Sequence, residues 1–378
     1  MKICLVGLLN LSVLAPEYRD HAVGGESVQQ TLLARALARR GHDVSMIVAD
    51  CGQPDGARWD AITTFKAYRL EAGVPGWRFI HPRWTGLWAA LTRADADAYY
   101  TSCAGMHLGL LAMFCRSARK RLVFRAASDA DCEPSRLLVP YARDRWLYEY
   151  GLRRADTILV QSAAQAGALR RNYGLKSVVA GMLVEPPRLV PARDIDVLWI
   201  GNIRRVKRAD RALELADKLP QARIHMVGGP LPGEEALYEE VALEAGARSN
   251  VSFRGRLSYA DASELYGRAR VLLNTSDVEG FPNTYLQAWA AGVPVITLID
   301  PDGVIAREGL GTCLREPAGL AEAVVRLLED GADWQAASER CRAFMVGEYG
   351  EAQVLGAYLE AFTVPRHPSA GRTRPVHA

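Results

Sequence analysis

Seven cysteines, at positions 4, 51, 103, 115, 132, 313 and 341, lie scattered without the paired C-x-x-C spacing that zinc requires, and they are too sparse for a disulfide-stapled scaffold. Reduced thiols are therefore expected, with no structural zinc. An excess of one charge is also missing: 46 basic against 43 acidic residues leave a formal net charge of +3, too balanced for a chain whose main partner is nucleic acid. No G-x-G-x-x-G follows the first apolar run, where Gly7-Leu-Leu-Asn-Leu-Ser12 stands instead, and this argues against a nicotinamide enzyme. With 49% hydrophobic and 24% charged residues the chain is too polar to be a membrane protein. Met1–Pro16 has a Lys before an apolar run, as an export signal would, but Asn10 and Ser12 interrupt it and no A-x-A site follows. It reads as a first strand, and the chain as cytoplasmic.

What is present is alternation. Short apolar runs alternate with helical patterns along nearly all 378 residues, which points to an α/β fold with parallel sheets covered by helices on both faces. Ile3–Val6, Val44–Val48, Tyr99–Thr101, Arg121–Phe124 and Thr157–Gln161 read as strands of a first domain spanning 1–185. Pro186, Pro187 and Pro191 stiffen a linker placed at 186–194. A second α/β domain then occupies 195–347, with strands at Asp196–Ile200, Arg223–Val227, Val251–Phe253, Val271–Asn274 and Pro294–Leu298. An amphipathic helix within 348–363 is expected to return to the first domain, and 364–378 has too little to bury and reads as disordered.

Open α/β sheets bind ligands at the carboxyl ends of their strands, and several such junctions carry chemistry here. Gly24-Gly25-Glu26-Ser27 offers backbone amides at a helix start, suited to phosphate or sugar; the competing reading is a flexible loop with Ser27 as N-cap. Gly201–Arg208 places Arg204, Arg205, Lys207 and Arg208 in one loop after a strand, as a diphosphate would require, against the plainer reading of a solvated basic turn. At 279–295, Glu279-Gly-Phe-Pro-Asn283 leads into a helix from Thr284 to Ala291, whose first turn presents free N–H groups to an anion while Glu279 meets hydroxyls. Gln287 lies one turn in, where its amide either bonds a diol or packs. Asp95-Ala-Asp97 and Asp129-Ala-Asp131 have the D-x-D form of a metal site, but such triplets are common and no metal is expected. Trp77–Trp88 and Arg116–Arg121 bring aromatics and cations into the first domain, either to touch anionic lipid or to pack on the sheet.

The block at 279–295 resembles the E-x7-E region of the retaining glycosyltransferase family 4, whose usual run is E-G-F-P-x-x-x-x-E-A-M-A-x-G-x-P-V. The early Gly-Gly, Ala155–Ser162, the Gly-x5-Lys loop ending at Lys207 and Val251-Ser-Phe-Arg-Gly255 extend the resemblance along most of the chain. It implies a GT-B architecture, two Rossmann-like domains facing a cleft, and a metal-independent transfer from a nucleoside-diphosphate sugar. By that resemblance Glu279 holds the donor sugar, and the amides of Gly280, Phe281, Pro282-linked Asn283 and Thr284 meet its hydroxyls and diphosphate. Lys207 neutralises the leaving diphosphate, and Gly24 and Gly25 let donor or acceptor approach the first domain. Three positions depart from the family. Gln287 replaces the second Glu; Asn202 stands where Arg is usual, with Arg205 as the first substitute; and Asp129 survives from a His-Asp pair whose His is absent. A degenerate nucleotide-sugar-binding protein without turnover, or a related phosphorylase or hydrolase, stays open beside the transferase, and the acceptor is unknown, with a lipid-linked one and a peripheral membrane contact both open.

Overall fold

The computed structural model describes residues 1–18, 24–185, 193–231 and 233–363. Most of the expected linker and all of the expected tail lie outside them. Two sheets account for the strands. The first contains β1 (Lys2–Val6), β2 (Asp43–Val48), β3 (Arg58–Trp59), β4 (Ile62–Lys66), β5 (Ala98–Ser102), β6 (Arg121–Arg125), β7 (Thr157–Val160) and β8 (Val178–Val179), in the order β3-β4-β2-β1-β5-β6-β7-β8. The second contains β9 (Ile195–Ile200), β10 (Ile224–Val227), β11 (Val251–Phe253), β12 (Ala269–Asn274), β13 (Val295–Thr297) and β14 (Gly311–Cys313), in the order β11-β10-β9-β12-β13-β14. All pairings are parallel except the β3–β4 hairpin.

Parallel strands covered on both faces explain the continuous apolar runs. Along β1, Ile3 and Leu5 enter one core layer and Cys4 and Val6 the opposite one, all at most 2% exposed. In β9, Leu198 faces one layer, and Val197 and Trp199 the other. Each sheet reverses its strand order once, between β1 and β5 in the first and between β9 and β12 in the second. At such a reversal the loops leaving neighbouring strands diverge to opposite faces and open a crevice, so topology alone marks two ligand-sized positions.

The helix Glu351–Thr363 returns to the first domain because Val354, Leu355, Tyr358, Ala361 and Phe362 repeat at helical spacing and all join its core. The Tyr358 hydroxyl donates to the Gly181 carbonyl (3.1 Å), and Arg121 Nε to the Ala361 carbonyl (2.8 Å). Ser27 is not an N-cap: Gly24 holds that place, while Ser27 is buried inside the helix Gly25–Arg39, where its carbonyl accepts from Thr31 Oγ1. The helix Ala142–Leu152 precedes β7.

Part of the aromatic segment packs, with Leu87 buried and Trp84 and Trp88 against the core, yet Trp77 is 71% and Ile80 50% exposed. The Arg143 guanidinium lies 3.6 Å over the Phe79 ring and joins this segment to Leu138, Tyr141 and Trp146, each more than 60% exposed. Lys120 and Arg121 turn elsewhere, to Asp95 and the Ala361 carbonyl. Among the described residues no helix is long and apolar enough to cross a membrane.

Candidate active site

At the second sheet's reversal, β9 runs into the basic loop and β12 into the loop carrying Glu279. Residues Arg205–Lys207 form a single tight turn, and Arg208, at φ 51°, swings the chain into the helix Ala209–Lys218. The consequence is a division of the cations. Lys207 turns inward and its Nζ donates to Glu279 Oε1 at 2.5 Å, with side-chain exposures of 25% and 11%. The exposed Arg204 and Arg205 instead line a cavity of about 530 Å³ with Glu240 and Glu244, which Lys207, Glu279 and Gln287 do not line. Asn202, half-buried, begins the same loop.

The pair is braced. Thr275 Oγ1 donates to the Lys207 carbonyl (2.8 Å) and accepts from Trp199 Nε1 (2.9 Å), which fixes the backbone of the lysine. Glu279 Oε1 also accepts from Ser276 Oγ (2.7 Å) and Asn274 Nδ2 (3.2 Å), so three donors converge on one oxygen and Oε2 shares in none of these bonds. A half-buried ion pair with this many fixed partners is preorganised for charge that arrives from outside.

Across the cleft the two domains meet at glycines. Asn283 Nδ2 donates to the Gly25 carbonyl (2.8 Å), and a Cβ on Gly25 would sit 2.5 Å from that nitrogen. Phe281 N donates to Gln161 Oε1 (3.3 Å), which would lie 3.1 Å from a Cβ on Gly280. Gln161 and Gln165 lead to Asp129, whose Oδ1 accepts from Gln165 Nε2 at 3.0 Å, so Asp129 belongs to the first domain's wall of the cleft. Asp131 instead caps the turn at Ser128, accepting from Ala127 N and Ser128 Oγ. Pro282 precedes the helix Asn283–Ala290, with Thr284 in its first turn. Gln287 shares a hydrogen bond with the Tyr259 hydroxyl, and burial raises the pKa of that tyrosine. His107 lies in the helix Met106–Ala118, where burial lowers its pKa. Asp95 and Asp97 serve Lys120 and Lys2 N, and among the described residues no cluster of three or more acidic, His or Cys side chains could hold a metal.

Sequence reasoning missed Asp302. Its carboxylate reaches across the cleft to accept from Ala163 N (3.0 Å) at the start of the helix Ala163–Tyr173. Pro301-Asp-Gly303 announces a turn, but nothing local reveals a partner 139 residues away.

Residues 24–181 match the model of a glycosyl transferase 4-like domain, and residues 194–330 that of glycosyl transferases group 1. The chain belongs to glycosyltransferase family 4. Its fold is GT-B: sucrose-phosphate synthase from Thermosynechococcus elongatus superposes with a TM-score of 0.74 at 19% identity, over 95% of this chain and 98% of that one. Anabaena HepE, crystallised with UDP and glucose, gives 0.72 at 16% identity over the same shares. Among curated relatives, mannosylfructose-phosphate synthase from Agrobacterium fabrum is 26% identical over 39% of this chain and 38% of its own length. D-inositol 3-phosphate glycosyltransferase from Mycobacterium bovis is 31% identical over 37% and 30%. The family 4 chain thus spans well under half the length of the curated relatives it matches.

Proposed function

We propose that this family 4 protein transfers a glycosyl group from a nucleoside-diphosphate sugar to an acceptor hydroxyl, with retention and without a metal. The observation that carries this is the Lys207–Glu279 pair, braced at the strand reversal of the second sheet and flanked by the N-terminus of the Asn283–Ala290 helix. HepE, a neighbour in fold, was crystallised with UDP-glucose, which supports a donor of that class. As the anomeric bond loosens, negative charge grows on the diphosphate and positive charge on the sugar. Lys207 and the helix N–H groups stabilise the former, and Glu279 orients and stabilises the latter. The acceptor hydroxyl attacks on the face the diphosphate leaves, and the departing phosphate takes its proton. Removing one such preorganised group costs about 10²–10³ in turnover. Glu279→Ala and Lys207→Ala are therefore expected to lose that much glycosyl transfer in an assay of nucleoside diphosphate release, with the product's anomeric configuration read by NMR. Near-normal rates in either variant, an inverted product, or free sugar alone would contradict the mechanism.

The exposed Trp77, Ile80, Leu138, Tyr141 and Trp146 beside Arg143 support a peripheral contact with anionic lipid, in line with a lipid-linked acceptor. Flotation with phosphatidylserine vesicles, lost in Trp77→Ala/Trp146→Ala, checks it; equal flotation of the variant counts against it. Cys4, Cys103, Cys132, Cys313 and Cys341 are free thiols, which suits a reducing cytoplasm.

A further inference from the structure

The first sheet's reversal holds a second carboxylate. Glu26, in the first turn of the helix Gly25–Arg39, ties that helix to the end of β5: its Oε1 accepts from Gln30 Nε2 (2.9 Å) and Ser102 Oγ (3.0 Å). Gln30 Nε2 also donates to Ser102 Oγ (2.8 Å), and Gln30 Oε1 accepts from Asn10 Nδ2 (2.9 Å). Asn10, Gln30 and Ser102 are each 1% exposed, and a Cβ on Gly7 would sit 2.6 Å from Gln30 Oε1, so the network is packed down to the backbone beneath it. Glu26 itself keeps part of its surface exposed. Among the described residues its hydrogen-bond partners are hydroxyl, amide and thiol groups, none a cation. Burial, with Asp131 adding to it, makes the carboxylate hold its proton more tightly than usual. A carboxyl group buried at such a cost, fixed by neutral partners and with part of its surface exposed, is placed for something outside the fold.

We propose that Glu26 is the acceptor-binding residue of the first domain, taking hydrogen bonds from hydroxyls of an uncharged sugar or cyclitol and disfavouring a phosphorylated one. This rests on the glycosyl-transfer reading above. The carbonyl of the preceding residue, Gly25, is bonded to Asn283 at the head of the donor-side helix, so the carboxylate stands next to the point where the domains meet. An ionised carboxylate only accepts, on two oxygens, which suits vicinal hydroxyls. A phosphate would meet Glu26 with Asp131 close enough to act on the same site. Arg125, at the end of β6, is 2% exposed with its guanidinium against Tyr100 and Tyr358, and among the described residues no hydrogen bond joins it to Glu26.

Saturation-transfer NMR on the UDP-loaded protein tests this with four probes: glucose, myo-inositol and the monophosphate of each. The neutral probes are expected to bind, their phosphates to bind about tenfold more weakly or not at all, and Glu26→Gln and Glu26→Ala to weaken the neutral probes about tenfold while the affinity for UDP holds. Failure of both neutral probes to bind, phosphates binding as well as their parents, or wild-type binding of the neutral probes by Glu26→Gln overturns the inference. UDP affinity, measured alongside, separates the two readings. A protein that binds UDP but fails these criteria loses only the acceptor assignment, whereas one that binds no nucleoside diphosphate loses both.

Discussion

At the scale of single residues, the chemistry divides between groups that a local motif announces and groups that only the fold reveals. Glu279 and Lys207 stand in short, punctuated loops after apolar runs, and their surroundings could be read from the chain. That they pair at 2.5 Å, 72 residues apart, could not. Gln287 sits where the family carries Glu, and here its amide bonds Tyr259. A charge-assisted hydrogen bond is about twice as strong as a neutral one, worth roughly 1 kcal/mol more. Gln287→Glu is thus expected to tighten nucleoside diphosphate binding about fivefold by calorimetry, and weaker binding would show that Tyr259 cannot adapt to a carboxylate. Glu26 yields a prediction of opposite character. A carboxyl that binds its proton more tightly folded than unfolded favours the fold at low pH, and this advantage disappears as the pH climbs through its raised value. Glu26→Gln removes the charge but keeps an acceptor, so its melting temperature should exceed wild type near pH 8 and converge with it toward about pH 4. A difference independent of pH would remove Glu26 as the cause.

At the scale of elements, long parallel strands were legible because both of their faces are buried, which leaves an apolar run in the chain. The strands that escaped are short or marginal. Ile62–Lys66 spends two of five residues on Thr and one on Lys, with only two of the five fully buried; Val178–Val179 is a pair of exposed residues; Gly311–Cys313 opens on a glycine at φ +143°. Helix ends depended on caps that the sequence misplaces, as with Ser27: it lies inside the first turn, its carbonyl accepting from Thr31 Oγ1, and Gly24 takes the cap position with no side chain to announce it. The loops after β9 and β10 approach so closely that a Cβ on Gly228 would overlap the Gly201 carbonyl oxygen. Since that neighbour is backbone and cannot rotate away, Gly228→Ala should destabilise the protein by about 2 kcal/mol or more, measured by urea denaturation. A change within about 0.5 kcal/mol would mean that the basic loop is not held where it is described.

For the molecule as a whole, two Rossmann-like sheets each place a carboxylate at a strand reversal, Glu26 in one and Glu279 in the other, and the domains join through Asn283–Gly25, Phe281–Gln161 and Asp302–Ala163. Contacts of this kind, between residues more than a hundred positions apart, leave no local trace, and so the closure was the least legible part. A carboxylate at a helix N-terminus contributes about 0.3–1 kcal/mol. Asp302→Ala should accordingly loosen the contact between the domains, lowering kcat/KM about two- to fivefold and enlarging the radius of gyration by small-angle scattering. Unchanged values for both would make the contact incidental. That Lys207 and Glu279 form a nucleoside-diphosphate-sugar site is the central claim, and thermal shift with UDP, GDP, ADP and dTDP on wild type and Lys207→Ala tests it most directly. Ligand at a hundred times its dissociation constant adds about 2.7 kcal/mol to the folded state. At least one diphosphate is expected to stabilise wild type, with most of this shift lost in Lys207→Ala; no response in wild type, or an equal response in both proteins, would contradict the claim.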